Sequence, residues 1–195
     1  MSPVYPATLD FAGTDQIARW RPLVHWILVI PHMIIVAVLG FVAGVILLIS
    51  FFAILFTRRI PEGLFNFQVM SQRYSWRAYS YAWFMRESYP PFEFPMSAGD
   101  PGDDPAALAV ERPALVNRWL PLVKWLLAIP HQIVLFVLWF VTGILLLIAF
   151  FYVLITGRYP LSIRNFLIGY ARWYWRVWAY TYLLRDEYPP FSLEP

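Results

Sequence analysis

Two histidines and two pairs of arginines are the side chains of this sequence whose type and spacing could do chemistry. His32 and His131 each follow a proline in an Ile-Pro-His triplet. Two histidines held inside a membrane can ligate one haem or metal ion. The plainer expectation is structural, because a His beside a Pro can satisfy backbone groups freed by the missing proline N–H. Arg73 and Arg77, and again Arg172 and Arg176, are four apart, which puts each pair on one helix face. Trp76 and Trp175 stand beside Arg77 and Arg176. Arginine among aromatic rings suits a headgroup layer, where guanidinium meets phosphate and the rings lie against acyl chains. Arg73, Trp76, Arg77, Arg172, Trp175 and Arg176 therefore form the candidate face for lipid or partner binding. His32 and His131 are the candidate haem ligands; a plain interfacial anchor is the bland reading of the first set.

No other pattern supports catalysis. The sequence has no Gly-rich phosphate loop, no His-Glu zinc motif, and no Ser, His and acid spaced as a triad. All twelve Asp and Glu residues fall outside its apolar runs, so acid–base work or coupled transport inside a membrane has no carboxylate to use. Cysteine is absent, which excludes disulfides, thiolate metal sites and cysteine nucleophiles. The expectation is a protein that is not an enzyme and holds no metal. Arginines among aromatics also suit nucleic acid, but here they adjoin apolar segments, so nucleic acid is not the expected partner.

The elements that position these residues are read from composition and repetition. Hydrophobic residues make up 60% and charged residues 14% of the 195-residue chain, against roughly 25% charged in an ordinary soluble domain. Neither Pro22 to Thr57 nor Leu126 to Gly157 contains an Asp, Glu, Lys or Arg. Each run far exceeds the roughly 18 apolar residues of a membrane-spanning candidate. Met1 to Gly13 lacks a basic region followed by a short apolar core, so no signal peptide is expected there. Pro22, Pro31-His32, Gly44, Arg73, Trp76-Arg77 and Tyr89-Pro90-Pro91-Phe92 recur at a constant offset of 99 as Pro121, Pro130-His131, Gly143, Arg172, Trp175-Arg176 and Tyr188-Pro189-Pro190-Phe191. The chain is a tandem duplication, residues 1–95 and 105–195, joined by an acidic Pro/Gly linker over 96–104.

As one helix, Pro22 to Thr57 would be roughly 50 Å long, well beyond a hydrocarbon core of about 30 Å. Two arrangements fit. The favoured one is a transmembrane hairpin per repeat, turning near Gly40 to Gly44 and near Trp139 to Gly143. It puts every Lys and Arg on one face, as the positive-inside rule asks. The other ends an interfacial helix at Ile30, bends at Pro31 and crosses once, which inverts the repeats. Leu64 to Arg86 and Ile163 to Arg185 read as amphipathic helices on the membrane surface. Ala7 to Phe11, Ala107 to Glu111, Phe92 to Phe94 and Phe191 to Leu193 can be extended and pair as a small sheet on that face.

Arg-Trp-x-Pro-Leu-Val-x-Trp-x-Leu-x-Ile-Pro-His from Arg19 and from Arg118, then Thr-x-Arg-x-Pro, Trp-Arg and Tyr-Pro-Pro-Phe, resembles a bacterial membrane domain family, common in actinobacteria, catalogued as a domain of unknown function. The resemblance covers Arg19 to Phe92 and Arg118 to Phe191. Arg58 departs from the Gly of the Thr-Gly-Arg-Tyr-Pro signature kept at Thr156 to Pro160. The combined expectation is an all-α, multi-pass protein of the bacterial inner membrane. It would act as a non-catalytic accessory or scaffolding subunit that touches anionic lipids and packs with other membrane subunits or as a homo-oligomer. A lipid-binding or transport module using the Arg/aromatic faces is the alternative, and a His-ligated haem subunit the second alternative.

Overall fold

In the computed structural model, residues 5–102 and 104–195 are described; Met1–Val4 of the N-terminal segment and Asp103 of the linker lie outside the described residues. Ala7–Phe11 forms strand β1 and its counterpart Ala106–Val110 forms β2. They pair antiparallel, with Ala7 opposite Val110, Leu9 opposite Leu108 and Phe11 opposite Ala106. Leu9 thus faces its own counterpart in the other repeat, and a pseudo-two-fold axis passes through that pair. The small sheet expected from the sequence exists with two strands among the described residues. Phe92–Phe94 and Phe191–Leu193 stay irregular.

Prolines start the helices rather than kink them. Pro22 falls in the first turn of α1 (Arg21–Leu28) and Pro31 in that of α2 (Ile30–Thr57), where a missing N–H removes no helical bond. α3 follows at Glu62–Ala82. In the second repeat a 3-10 turn at Leu120–Leu122 precedes α4 (Lys124–Leu127), α5 (Ile129–Thr156) and α6 (Leu161–Thr181).

The favoured hairpin is corrected here. α2 and α5 are each one uninterrupted 28-residue helix running through Gly40–Gly44 and through Trp139–Gly143. A turn at those points would free several amides and carbonyls in largely apolar surroundings, whereas a continuous helix bonds them within itself. A one-residue break at Val29, itself in right-handed helical conformation (φ −78°, ψ −16°), separates α1 from α2 two residues before Pro31. Both long helices are long and apolar enough to cross a membrane, and only 17% of an 18-residue apolar stretch in each is buried.

The elements stack in three layers. Ala7, Leu9, Ala106, Leu108 and Val110 form the buried side of the sheet. α3 packs on β2 and α6 on β1, so the helix of one repeat covers the strand chiefly contributed by the other. Phe65, Trp76, Leu167 and Trp175 join Leu9 and Leu108 in the main core. α2 lies along α3, tied by the Gln68 Nε2 donor to the Ala43 carbonyl at 2.9 Å, and α5 lies along α6. α2 and α5 form the outer layer, exposing Ile34, Phe41, Phe52 and Phe56, and Ile133, Phe140, Phe151 and Ile155. The Ile17 amide donates to the Gly157 carbonyl at 3.1 Å and the Val116 amide to the Arg58 carbonyl at 2.9 Å. Each repeat's entry is thereby fixed to the far end of the other repeat's long helix.

Those helix ends differ at the residue that closes each helix. Thr57 Oγ accepts the Arg59 amide and Thr156 Oγ accepts the Arg158 amide, which explains the recurring Thr-x-Arg. Between them, Arg58 takes φ 59° and Gly157 φ 72°. A left-handed residue suits glycine and costs other L-residues about 1 kcal/mol. Arg58→Gly should therefore stabilise the protein by about 0.5–1 kcal/mol, and Gly157→Ala should destabilise it by a similar amount. Denaturant unfolding in detergent checks both signs.

Candidate functional site

Leu108 turns both its N–H and its carbonyl away from β1. The amide donates to Asp100 Oδ2 at 2.7 Å, and the carbonyl accepts Arg73 Nε at 3.0 Å. Across the axis, Arg172 Nε donates to the Leu9 carbonyl at 3.1 Å. Each arginine thus reaches from its helix to the outer strand edge of the other repeat. Arg73 also donates to the Ser97 and Gly99 carbonyls at 3.1 and 2.8 Å, and Arg172 to the Leu193 carbonyl at 3.2 Å. Trp76 Nε1 donates to the Asp10 carbonyl at 3.0 Å and Trp175 Nε1 to that of Ala109 at 3.4 Å.

Carboxylates complete the pattern from two sources. Asp10 Oδ1 lies 2.6 Å from Arg172 Nη2. Its counterpart is Ala109, so Arg73 instead meets Asp100 of the linker at 3.4 Å. Asp104, also of the linker, lies 3.9 Å from Arg77 Nε and 2.6 Å from Arg86 Nη1. Arg176 stacks on Tyr5, 5.8 Å from the ring centroid. The linker is therefore a strap along the β2 edge that supplies charge to buried arginines.

This corrects the surface expected for these residues. Arg73 and Arg77 are 1% exposed, and Trp76, Arg172, Trp175 and Arg176 are also buried. They share one helix face in each repeat, as the spacing requires, but that face points at the sheet rather than at headgroups. Charged side chains with this many backbone acceptors hold a fold together, since an unpaired buried guanidinium would be costly. Sequence reasoning missed Asp10, Asp100 and Asp104 as their partners. The available signal was the cluster of acids in the linker, which repeat 1 lacks at its own start.

The two histidines sit in separate aromatic boxes, each built by its own repeat. His32 Nδ1 is 2.7 Å from the Tyr74 hydroxyl, and its ring stacks on Phe92 at 4.5 Å. Trp173 Nε1 donates to His131 Nδ1 at 3.1 Å, and that ring stacks on Phe191 at 3.8 Å. The Tyr89 hydroxyl donates to the Leu28 carbonyl, and the Tyr188 hydroxyl to that of Leu127, both at 3.1 Å. The Tyr-Pro-Pro-Phe segment is thus a clip over the start of each long helix. An indole N–H only donates, so it leaves the His131 proton on Nε2, the nitrogen that would have to hold iron. His131 in that tautomer does not fit an iron ligand, and the aromatic neighbours of the two rings belong to different repeats. No cluster of three or more metal-ligating side chains occurs among the described residues.

The repeats also diverge in chemistry at a further position. His25 is fully buried, its Nδ1 3.0 Å from the Tyr81 carbonyl, and burial lowers its pKa to about 4. The counterpart Lys124 is equally enclosed but keeps a carboxylate, Asp186, at 2.8 Å. Burial pulls its pKa down, and Asp186 opposes that.

The family described as a domain of unknown function, DUF4389, matches residues 19–93 and again 119–192. No curated protein and no solved structure matches the chain.

Arg73→Gln removes the bonds to Leu108, Ser97 and Gly99 and should cost about 3 kcal/mol in unfolding free energy, whereas an arginine that only touched lipid would cost almost nothing. Denaturant titration in detergent reads this. His25 makes a second test. Its folded pKa lies below the free value, so the neutral ring is favoured by the fold, and its contribution is whole above about pH 6.5 and lost as pH falls towards 4. Moving from pH 7.5 to pH 5 should remove about 2 kcal/mol through this group, and His25→Gln should flatten that part of the pH dependence.

Proposed function

We propose that this chain, which belongs to the DUF4389 family in two tandem copies, is a non-catalytic accessory or scaffolding subunit of the bacterial inner membrane. Its outer layer, α2 and α5, packs with partner membrane proteins or with a second copy. The observation that carries this reading is the layer order. The two-stranded sheet lies on one side, with Thr8 and Asp10 exposed on its outer face, and two long apolar helices, largely exposed, lie on the other. Helices of that composition are at home in hydrocarbon and not in water.

The same order supports a particular seating. A crossing by α2 would carry the sheet and the 70%-exposed Asp10 to bilayer depth, where an exposed carboxylate is expensive even beside Arg172. Lying in one leaflet, α2 and α5 occupy hydrocarbon, α3 and α6 with Tyr79, Trp83 and Tyr174 lie at headgroup level, and the sheet stays in water. All Lys and Arg residues then sit on one side of the membrane with continuous helices, which is what the hairpin was invoked to achieve. Tight anionic-lipid contact through Arg73, Arg77, Arg172 and Arg176 forms no part of this reading.

The chain has no cysteine, so single ones report cleanly. Arg59→Cys and Arg158→Cys mark the far ends of the two long helices. In sealed inverted vesicles an impermeant maleimide should label both; labelling of only one would mean that the helices cross and would overturn the seating. For the scaffold, a photoreactive residue replacing Phe41 or Phe140 should yield one protein adduct of defined mass in native membranes. Adducts with lipid alone would overturn the subunit reading.

A further inference from the structure

A cavity of about 660 Å³ lies between α3 and α6, lined by residues of both. Its floor is the Leu9 and Leu108 pair, and Trp76 and Trp175 line its sides. Its third wall is α5, through Trp139, Phe140 and Leu147, all of them among the exposed residues of the outer layer. The cavity is therefore continuous with the apolar surface rather than with the polar side of the sheet. No Asp, Glu, Lys, Arg or His lines it. Ligand sites of this size are mostly apolar with a few placed polar groups.

One such group is in need of a partner. Gln68 donates to the Ala43 carbonyl in repeat 1, but the counterparts are Leu167 and Thr142. Leu167 has no polar atom to offer. Thr142 lines the cavity, is 3% exposed, and its hydroxyl has no hydrogen-bond partner. A buried hydroxyl left unpaired costs free energy that a bound acceptor recovers. The asymmetry between the repeats also explains why α5 walls the cavity and the α2 counterparts, Gly40 and Ala43, do not.

We propose that this cavity is a binding site for one neutral lipid, whose hydrocarbon chain fills the space over Leu9 and Leu108 and whose hydroxyl or carbonyl group bonds the Thr142 hydroxyl. The absence of any charged lining residue selects against phosphate- and carboxylate-bearing lipids, because their charge would be desolvated without a counter-ion. Entry from the hydrocarbon layer rests on the seating proposed above; occupancy of the cavity does not.

The test uses the full chain in mild detergent with a diazirine-bearing long-chain fatty alcohol as the probe. Gly143 lines the cavity, and a Cβ there meets no atom within 4 Å, so Gly143→Phe fills the space without a clash at its base. Gly44, its counterpart on α2, is equally open and lies outside the cavity, so Gly44→Phe is the matched control. Photolabelling should map to α5 and α6 around Thr142, fall at least tenfold in Gly143→Phe, and persist in Gly44→Phe. Thr142→Val should weaken it about fivefold, the worth of one hydrogen bond. The corresponding probe ending in a phosphate should label at least tenfold less. Equal labelling of Gly143→Phe and wild type, or equal labelling by the phosphate probe, would overturn the proposal. Because these readouts are taken in micelles, they stand apart from the vesicle labelling that decides the seating.

Discussion

A two-stranded sheet has two open edges, and its outward amides and carbonyls must find partners in a body that is otherwise nearly all hydrocarbon and aromatic ring. Arg73 and Arg172 meet that demand at the carbonyls of Leu108 and Leu9, and Asp100 meets it at the Leu108 amide. Everything else follows from where those side chains must stand. They fix α3 and α6 across the sheet, and the hydrophobic contacts of Trp76 and Trp175 complete the join. With the inner helices set, α2 and α5 have only the outer surface left to occupy. The guanidinium is suited to this task because it stays charged and presents several donors in one plane, so a single side chain bridges carbonyls from different segments.

Much of this was legible in the sequence, for reasons that can be stated. The duplication exposed the equivalence of Arg73 with Arg172 and of His32 with His131, and the four-residue spacing put each arginine pair on one face. The extended segments at Ala7–Phe11 and near Ala106–Val110 were found from composition and turn signals. The direction of the arginine face was not legible. Arg beside Trp and Tyr looks alike whether the helix rests on lipid or on a strand edge, since both offer oxygen acceptors and apolar surface. The acids that settle the matter, Asp10 and Asp100, lie far away in sequence.

The hairpin failed for a related reason. Length and the distribution of positive charge both favour a turn within each apolar run, yet α2 and α5 are continuous. Gly40 and Gly44 then suggested a turn, although among the described residues only Gln68 bonds a backbone group there, the Ala43 carbonyl. Local chemistry was the better guide at the helix ends. Pro22, Pro31, Thr57 and Thr156 each mark a real boundary, because each changes which backbone group needs a partner.

The exchange of helices and strands between repeats bears on how such a molecule arises. A polypeptide with one repeat would carry a strand whose edge bonds and covering helix are both supplied by another copy, so it could complete its core only as a domain-swapped homodimer whose stability falls on dilution. Joining the copies through residues 96–104 turns that encounter into an intramolecular one at high effective concentration. Fusion also frees the two halves from identity. Ala43 and Thr142, His25 and Lys124, and Asp10 and Ala109 are pairs that a symmetric dimer is obliged to keep the same, and each now has a different neighbourhood.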